Sequence, residues 1–219
     1  MAKNVAVILS GCGVFDGTEI HEAVCSFLAL DKAGARYSCF APDINQHHVI
    51  NHINGEEMPE QRNVLIESAR IARGAINALS EFDADDFDAV LLPGGFGAAK
   101  NLSSFAFDGA EGTVNPELAV ALQAMKSAGK PIGALCISPT ILAKLFGDAG
   151  VEVTIGDDEP TIEEIEACGA NHKITTHEQV VIDSTNKIVS SPCYMLEASI
   201  KQIAAGAENT VNALLDLCA

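Results

Sequence analysis

Gly133-Ala134-Leu135-Cys136-Ile137-Ser138-Pro139 is the stretch on which the fold turns. Ile132–Leu135 is a short apolar run ending in small residues, and Ser138-Pro139 opens a helix almost at once. A buried strand that turns straight into a helix leaves the side chain at the corner exposed, the geometry of a nucleophile elbow. Backbone N–H groups and the helix dipole at such a corner favour an anionic sulfur, so the pattern predicts an acidified thiol at Cys136. The other cysteines (Cys12, Cys25, Cys39, Cys168, Cys193 and Cys218) bring the total to seven, scattered and without a C-x-x-C pair. That odd, dispersed set argues against a disulfide framework and a structural zinc site, and reads mostly as small core residues.

Outward from this stretch, strand and helix signals alternate. Val5–Leu9 is a continuous apolar run, followed by the glycine-rich loop Ser10–Gly17. Asp16-Gly17-Thr18-Glu19 resembles a capping box with Asp16 as N-cap, and Ile20, Ala23, Val24, Phe27 and Leu28 continue at helical spacing to Gly34. Tyr37–Ala41 reads as a second strand, Ile44–Gln61 as an irregular excursion, and 63–79 as a helix. Asp88–Leu92 is a third strand running into Pro93-Gly94-Gly95-Phe96-Gly97. Asn115 with Pro116 starts a helix that Gly129 ends. Val151–Ile155, Val180–Asp183 and Lys187–Ser190 complete the strands, and a last helix is expected from about Met195 to Leu217. Repeated strand–helix units imply an α/β fold, one domain over 1–219, with a mainly parallel sheet covered on both faces. Ligands in such sheets sit beyond the carboxyl ends of the strands, so Gly11–Thr18, Pro93–Gly97 and Leu135–Pro139 should converge.

Each of these loops carries a candidate group. Gly94 and Gly95 lack a Cβ, and the backbone N–H of Gly95 beside that of Ile137 reads as an oxyanion hole. The phosphate-loop patterns are absent. Glu19 and Glu22 share a helix face; Glu19 suits a cap, whereas Glu22 lies beyond it and needs another partner. Burial beside a thiolate would raise a carboxyl pKa and fit it for acid–base work. His48 and His52 have i, i+4 spacing without a third ligand, so no metal is expected; Arg62, Arg70 and Arg73 read mainly as surface ion-pair partners.

The formal charge of −17, from 30 acidic residues against 13 Lys and Arg, disfavours nucleic acid and anionic membranes as partners. Val5–Leu9 is too short for a signal peptide and no apolar run reaches a membrane span, so a cytoplasmic protein is expected.

Leu92-Pro93-Gly94-Gly95 with an elbow cysteine some forty residues later resembles the ThiJ/PfpI superfamily, relatives of the class I glutamine amidotransferase domain. Ser10–Glu22, Arg62–Gly74 and Pro93–Leu102 resemble its ElbB branch, described as isoprenoid-biosynthesis or lycopene-enhancing proteins and assigned a glyoxalase activity. The resemblance implies a flavodoxin-like three-layer sandwich, a homodimer, and a cofactor-free glyoxalase acting on a small 2-oxoaldehyde such as glyoxal or methylglyoxal. It makes Cys136 the nucleophile and Glu22 the helix glutamate, with Glu19 second. Many relatives have His directly after the nucleophile; Ile137 stands here, which argues against a Cys–His dyad and against glutaminase activity. Two other readings stay open: a redox or carbonyl-stress sensor using Cys136, with Cys12 as a resolving thiol, and a binding module affecting isoprenoid metabolism indirectly. The positions of His172 and His177 are left open.

Overall fold

The computed structural model describes residues 2–218. The strands are β1 (Asn4–Ile8), β2 (Arg36–Ala41), β3 (Ile76–Ala78), β4 (Ala89–Leu92), β5 (Ile132–Leu135), β6 (Glu152–Val153), β7 (Asn171–His172), β8 (Val181–Asp183) and β9 (Ile188–Ser191). The helices are α1 (Ile20–Lys32), α2 (Val64–Ile71), α3 (Phe96–Lys100), α4 (Phe105–Asp108), α5 (Pro116–Ser127), α6 (Pro139–Phe146), α7 (Glu159–Ala167) and α8 (Ile200–Asp216). Seven strands form one sheet in the order β3-β2-β1-β4-β5-β9-β8, parallel except for the β8–β9 hairpin. This is the α/β sandwich of the flavodoxin-like type. The central strands β1, β4 and β5 are almost wholly buried, which is why their sequences are continuous apolar runs rather than alternating ones.

Two cores lie on opposite faces of the sheet. Ala6, Ile8, Val90, Leu92 and Ile132 pack with Leu118, Leu122 and Met125 of α5 and Ile141 of α6. Val5, Val7 and Leu91 pack with Ala23 and Leu30 of α1 and Val211 and Leu214 of α8. The chain runs from β1 outward through β2 to β3 and then returns to β4 on the other side of β1. The carboxyl ends of β1 and β4 therefore flank the switch point, where such sheets hold their ligands.

Several expectations are corrected. The helix expected over 63–79 stops at Ile71, because Arg73 and Gly74 take positive φ (55° and 82°), and Ile76–Ala78 leaves as an edge strand on β2. Val151–Ile155 is not a strand of the main sheet: only β6 forms, paired with β7 in a separate two-stranded sheet. The N–H groups of Glu152 and Thr154 are taken instead by side chains of the main sheet's edge, Asp183 Oδ2 at 3.0 Å and Ser190 Oγ at 2.9 Å. The last helix begins at Ile200, where Ser199 and Gln202 form a reciprocal capping box. Asp16 does not cap α1. Its Oδ2 accepts the Ile50 N–H at 2.7 Å and holds the excursion, and Glu19 is the N-cap.

Leu91 is fully buried in the central strand, and a Cβ added at Gly133 would lie 2.7 Å from its Cδ1. Leu91→Ala is expected to lower the unfolding free energy by about 2–5 kcal/mol. Val120→Ala, at a position 67% exposed on α5, should stay within about 0.5 kcal/mol. Urea denaturation of the two variants checks both values.

Candidate functional site

Cys136 follows β5 directly and takes φ 58°, a left-handed conformation that a residue with a Cβ adopts at a cost. Its N–H is tied to Ser191 O of β9 at 3.0 Å, and Ser138 Oγ donates to Pro93 O at 2.8 Å, so the turn is fixed on both sides. This is the elbow expected from the sequence. The loop after β4 passes so close that a Cβ on Gly94 would stand 2.3 Å from Cys136 Cβ and 2.7 Å from Glu22 Oε2. Only a glycine fits there. Gly95 adopts φ 97°, and a Cβ on it would meet Glu19 N and Gly17 O at 2.4 Å.

Glu22, fully buried on α1, faces Cys136 from the neighbouring layer. Its Oε2 accepts the Gly94 N–H at 2.8 Å and its Oε1 accepts the Tyr194 N–H at 3.2 Å. The Cys136 side chain lies beside the same carboxylate. Burial, followed by the charge of Glu19, pushes the Glu22 carboxyl up to about 8, against the Tyr194 and Gly94 hydrogen bonds that favour its ionised form. The like charge comes from Glu19 and not, as the sequence reading expects, from a thiolate.

The acidified thiol does not survive the structure. Burial and the adjacent Glu22 charge hold Cys136 well above the ordinary thiol range, outweighing hydrogen bonds to its sulfur from the N–H groups of Gly95 and Ile137. α6 starts at Pro139 as expected, but Cys136 is buried, at 6% exposure. Burial thus works against the acidified thiol that the sequence pattern suggests. Gly95 and Ile137, whose N–H groups the sequence reading takes as an oxyanion hole, both line the cavity at Cys136. Gly94 is different from Gly95: its N–H is committed to Glu22, so it positions the carboxyl and has no donor left for a substrate oxygen.

Glu19 is the N-cap of α1; its Oε2 accepts the Glu22 N–H at 2.7 Å and its Oε1 lies 3.8 Å from His21 Nδ1. It acts on Glu22 through charge and helix position. Cys12 lies among Glu67, Arg70, Asp16 and Arg62, whereas the thiol neighbouring Cys136 is Cys193. Arg70 grips Glu67 with two hydrogen bonds and Arg62 pairs with Glu60, so neither awaits a substrate anion at the elbow. His52 binds Ile50 O and the Phe15 N–H, His172 accepts from Ile155 N, and His177 meets Glu197 O. Among the described residues no group of three His, Cys, Asp or Glu side chains is arranged to hold a metal.

Cys136 opens on a cavity of about 370 Å³ lined by Val14, Gly95, Phe96, Ile137, Asp158, Thr161, Tyr194 and Met195. A larger open groove of about 620 Å³ runs along α5 against Leu79–Asp85, but its lining contains no cysteine or histidine. The site's unforeseen members are Tyr194, Cys193 and the Asp158–Thr161 turn. The last had a sequence signal: Asp158 caps α7 by accepting Thr161 N, with Pro160 in the first turn.

No family model matches the chain. It is 46% identical over 226 residues to a human mitochondrial glutamine amidotransferase-like class 1 domain-containing protein, covering 99% of this chain and 84% of that one. The chain belongs to this amidotransferase-like ES1 family. A zebrafish mitochondrial ES1 protein is 36% identical over 89% of this chain and 77% of its own length. The crystal structure of an Ehrlichia chaffeensis isoprenoid biosynthesis protein with an amidotransferase-like domain superposes with a TM-score of 0.93, at 40% identity and 99% coverage of both chains. Glyoxalase III from Candida albicans, at 17% identity and TM-score 0.64 over 99% of this chain and 98% of that one, shares the ThiJ/PfpI fold.

A carboxyl whose pKa rises on folding binds a proton more tightly in the native state, so its contribution is complete below the unfolded value of 4.5 and is lost as pH climbs toward 8. Chemical denaturation across this window should show wild-type stability falling with pH. Glu22→Gln should remove that slope, while lowering the acid-side plateau, because an amide NH₂ would face one of the two backbone N–H donors.

Proposed function

We propose that this chain is a cofactor-independent glyoxalase that converts glyoxal or methylglyoxal to glycolate or lactate. The observation that carries the reading is the contact between the elbow thiol of Cys136 and the buried carboxyl of Glu22. The ionised fraction of Glu22 takes the thiol proton as sulfur adds to the aldehyde carbon, and the new oxygen lies beside the N–H groups of Gly95 and Ile137. Glu22 passes that proton to the oxygen, giving a hemithioacetal. It then removes the proton from the same carbon and returns it to the neighbouring carbon through an enediol. The product is a thioester of the 2-hydroxy acid, and water releases the acid and restores the thiol.

The cavity supports an uncharged substrate of this kind. Val14, Phe96, Ile137 and Met195 give it apolar walls, and none of the lining residues is Lys, Arg or His. A carboxylate substrate would meet Asp158 with no cation to offset it. Ile137 in place of histidine supports carbonyl addition over amide hydrolysis, since no imidazole stands beside the sulfur to protonate a leaving amine. The Candida neighbour's name supplies the reaction class on the same fold.

The single-domain, homodimeric and cytoplasmic assignments made from the sequence belong to the same proposal. The mitochondrial names are those of the relatives, and seven free thiols fit a reducing compartment of either kind. Among the described residues no helix is long and apolar enough to cross a membrane.

Metal-free protein without glutathione should consume glyoxal and methylglyoxal and yield the hydroxy acid, identified by mass spectrometry. Cys136→Ser should fall to background and Glu22→Gln should lose about 10²–10⁴-fold in kcat/KM. Because the reacting form needs Glu22 ionised, kcat/KM should rise with pH and level off above about 8. A folded wild type without turnover, or a Cys136→Ser variant at full rate, rules the reaction out.

A further inference from the structure

Cys193 is a buried nucleophile that the carbonyl chemistry leaves unused. It lies in the turn after β9, is 6% exposed, and shares one buried cluster with Cys136, Leu135, Ile203 and Ala207. Strand pairing brings the two thiols together: β5 and β9 are parallel, with Leu135 opposite Ser191. Cys136 and Cys193 lie just beyond that register pair, at the same end of the two strands. Both residues have positive φ, 58° and 41°, so the backbone turns at each strand end. Cys193 Sγ is held against α8, where a Cβ added at Gly206 would stand 3.5 Å from it. Glu22 acts on both sulfurs with its charge, and its Oε1 accepts the N–H of the residue after Cys193. Cys25 is only partly buried at the margin of the cluster, and Cys12 belongs to the Glu67–Arg70 neighbourhood.

We propose that Cys136 and Cys193 are a peroxide-reactive pair that closes to an intramolecular disulfide, giving the chain a hydroperoxide-reducing activity at the same site. The proposal rests on the reading of Cys136 as the reactive thiol. Cys136 sulfur attacks the distal oxygen of a hydroperoxide entering through the cavity. The O–O bond breaks, the alcohol or water leaves with the thiol proton relayed by Glu22, and Cys136 becomes a sulfenic acid. Cys193 sulfur then attacks Cys136 sulfur; the S–O bond breaks, water leaves with the Cys193 proton, and the S–S bond forms. Two thiols are oxidised and one hydroperoxide is reduced, and an external dithiol resets the pair by exchange. Closure also withdraws the carbonyl nucleophile reversibly and stops its oxidation short of the sulfinic acid.

The test is titration of the reduced full-length protein with hydrogen peroxide, followed by non-reducing peptide mapping, free-thiol counting and glyoxal turnover. Wild type should lose two thiols per peroxide consumed, yield a Cys136–Cys193 linked peptide, and recover both thiols with dithiothreitol. Cys193→Ala should lose one thiol, accumulate a dimedone-trapped sulfenic acid at Cys136, and pass on to a sulfinic acid that dithiothreitol does not reverse. Cys193→Ser serves as a second variant, with circular dichroism confirming the fold of each. A Cys136 that oxidises while Cys193 stays free, or links to Cys12 or Cys25, overturns the pair and leaves the glyoxalase reading intact. A Cys136 inert to both peroxide and glyoxal overturns both.

Discussion

A carboxyl group with no access to water, placed against a thiol, is the constraint around which the carboxyl ends of the sheet are arranged. Glu22 comes from α1, the Gly94 N–H from the loop after β4, the thiol from the turn after β5, and the Tyr194 N–H from the turn after β9. Four separate segments meet at one side chain. An unpaired buried carboxylate costs several kcal/mol. Two backbone donors offset part of that cost, and burial pushes the carboxyl up to about 8, so that protonation relieves the rest. Gly94 follows from the same constraint, since any side chain there would separate the carboxyl from the sulfur.

Protonation then sets the chemistry. With the Cys136 thiol raised by burial and by the Glu22 charge, the proposed reaction forms its sulfur nucleophile only when a base and an electrophile are both present. A cysteine protease or amidotransferase reaches its thiolate through a neighbouring imidazole; here Ile137 occupies that place, and in the proposed reaction the base is a carboxyl that also carries the proton back. A single group that accepts and returns one proton suits an isomerising addition to a small carbonyl compound. The largely apolar cavity over the sulfur, with no cationic lining residue, fits the same substrate class.

Much of this was legible in the chain. The elbow at Cys136, the glycine loop after β4, the helix cap at Asn115 and the β8–β9 hairpin all follow from local patterns of small, apolar and turn residues. What escaped was of three kinds. Backbone donors are silent in a sequence: Tyr194 and Glu22 are 172 residues apart, and their hydrogen bond uses an N–H that any residue but proline has. Burial is silent too. The helix start at Ser138-Pro139 argued for an acidified Cys136, and only the packing of the covering loops reverses that sign. Asp16 and Glu19 show a third limit, because each can cap a helix and only tertiary context assigns the cap to Glu19 and the Ile50 N–H to Asp16.

The central claim is the protonation state of Glu22, and carboxyl-selective ¹³C NMR reads it directly. In protein labelled at glutamate side chains, the resonance lost in Glu22→Gln identifies the group, and its shift is followed against pH. The account predicts a titration midpoint near 8, moving downward when the neighbouring charge is removed in Glu19→Gln. A Glu22 carboxyl that titrates near 4.5, unmoved by that substitution, would contradict it.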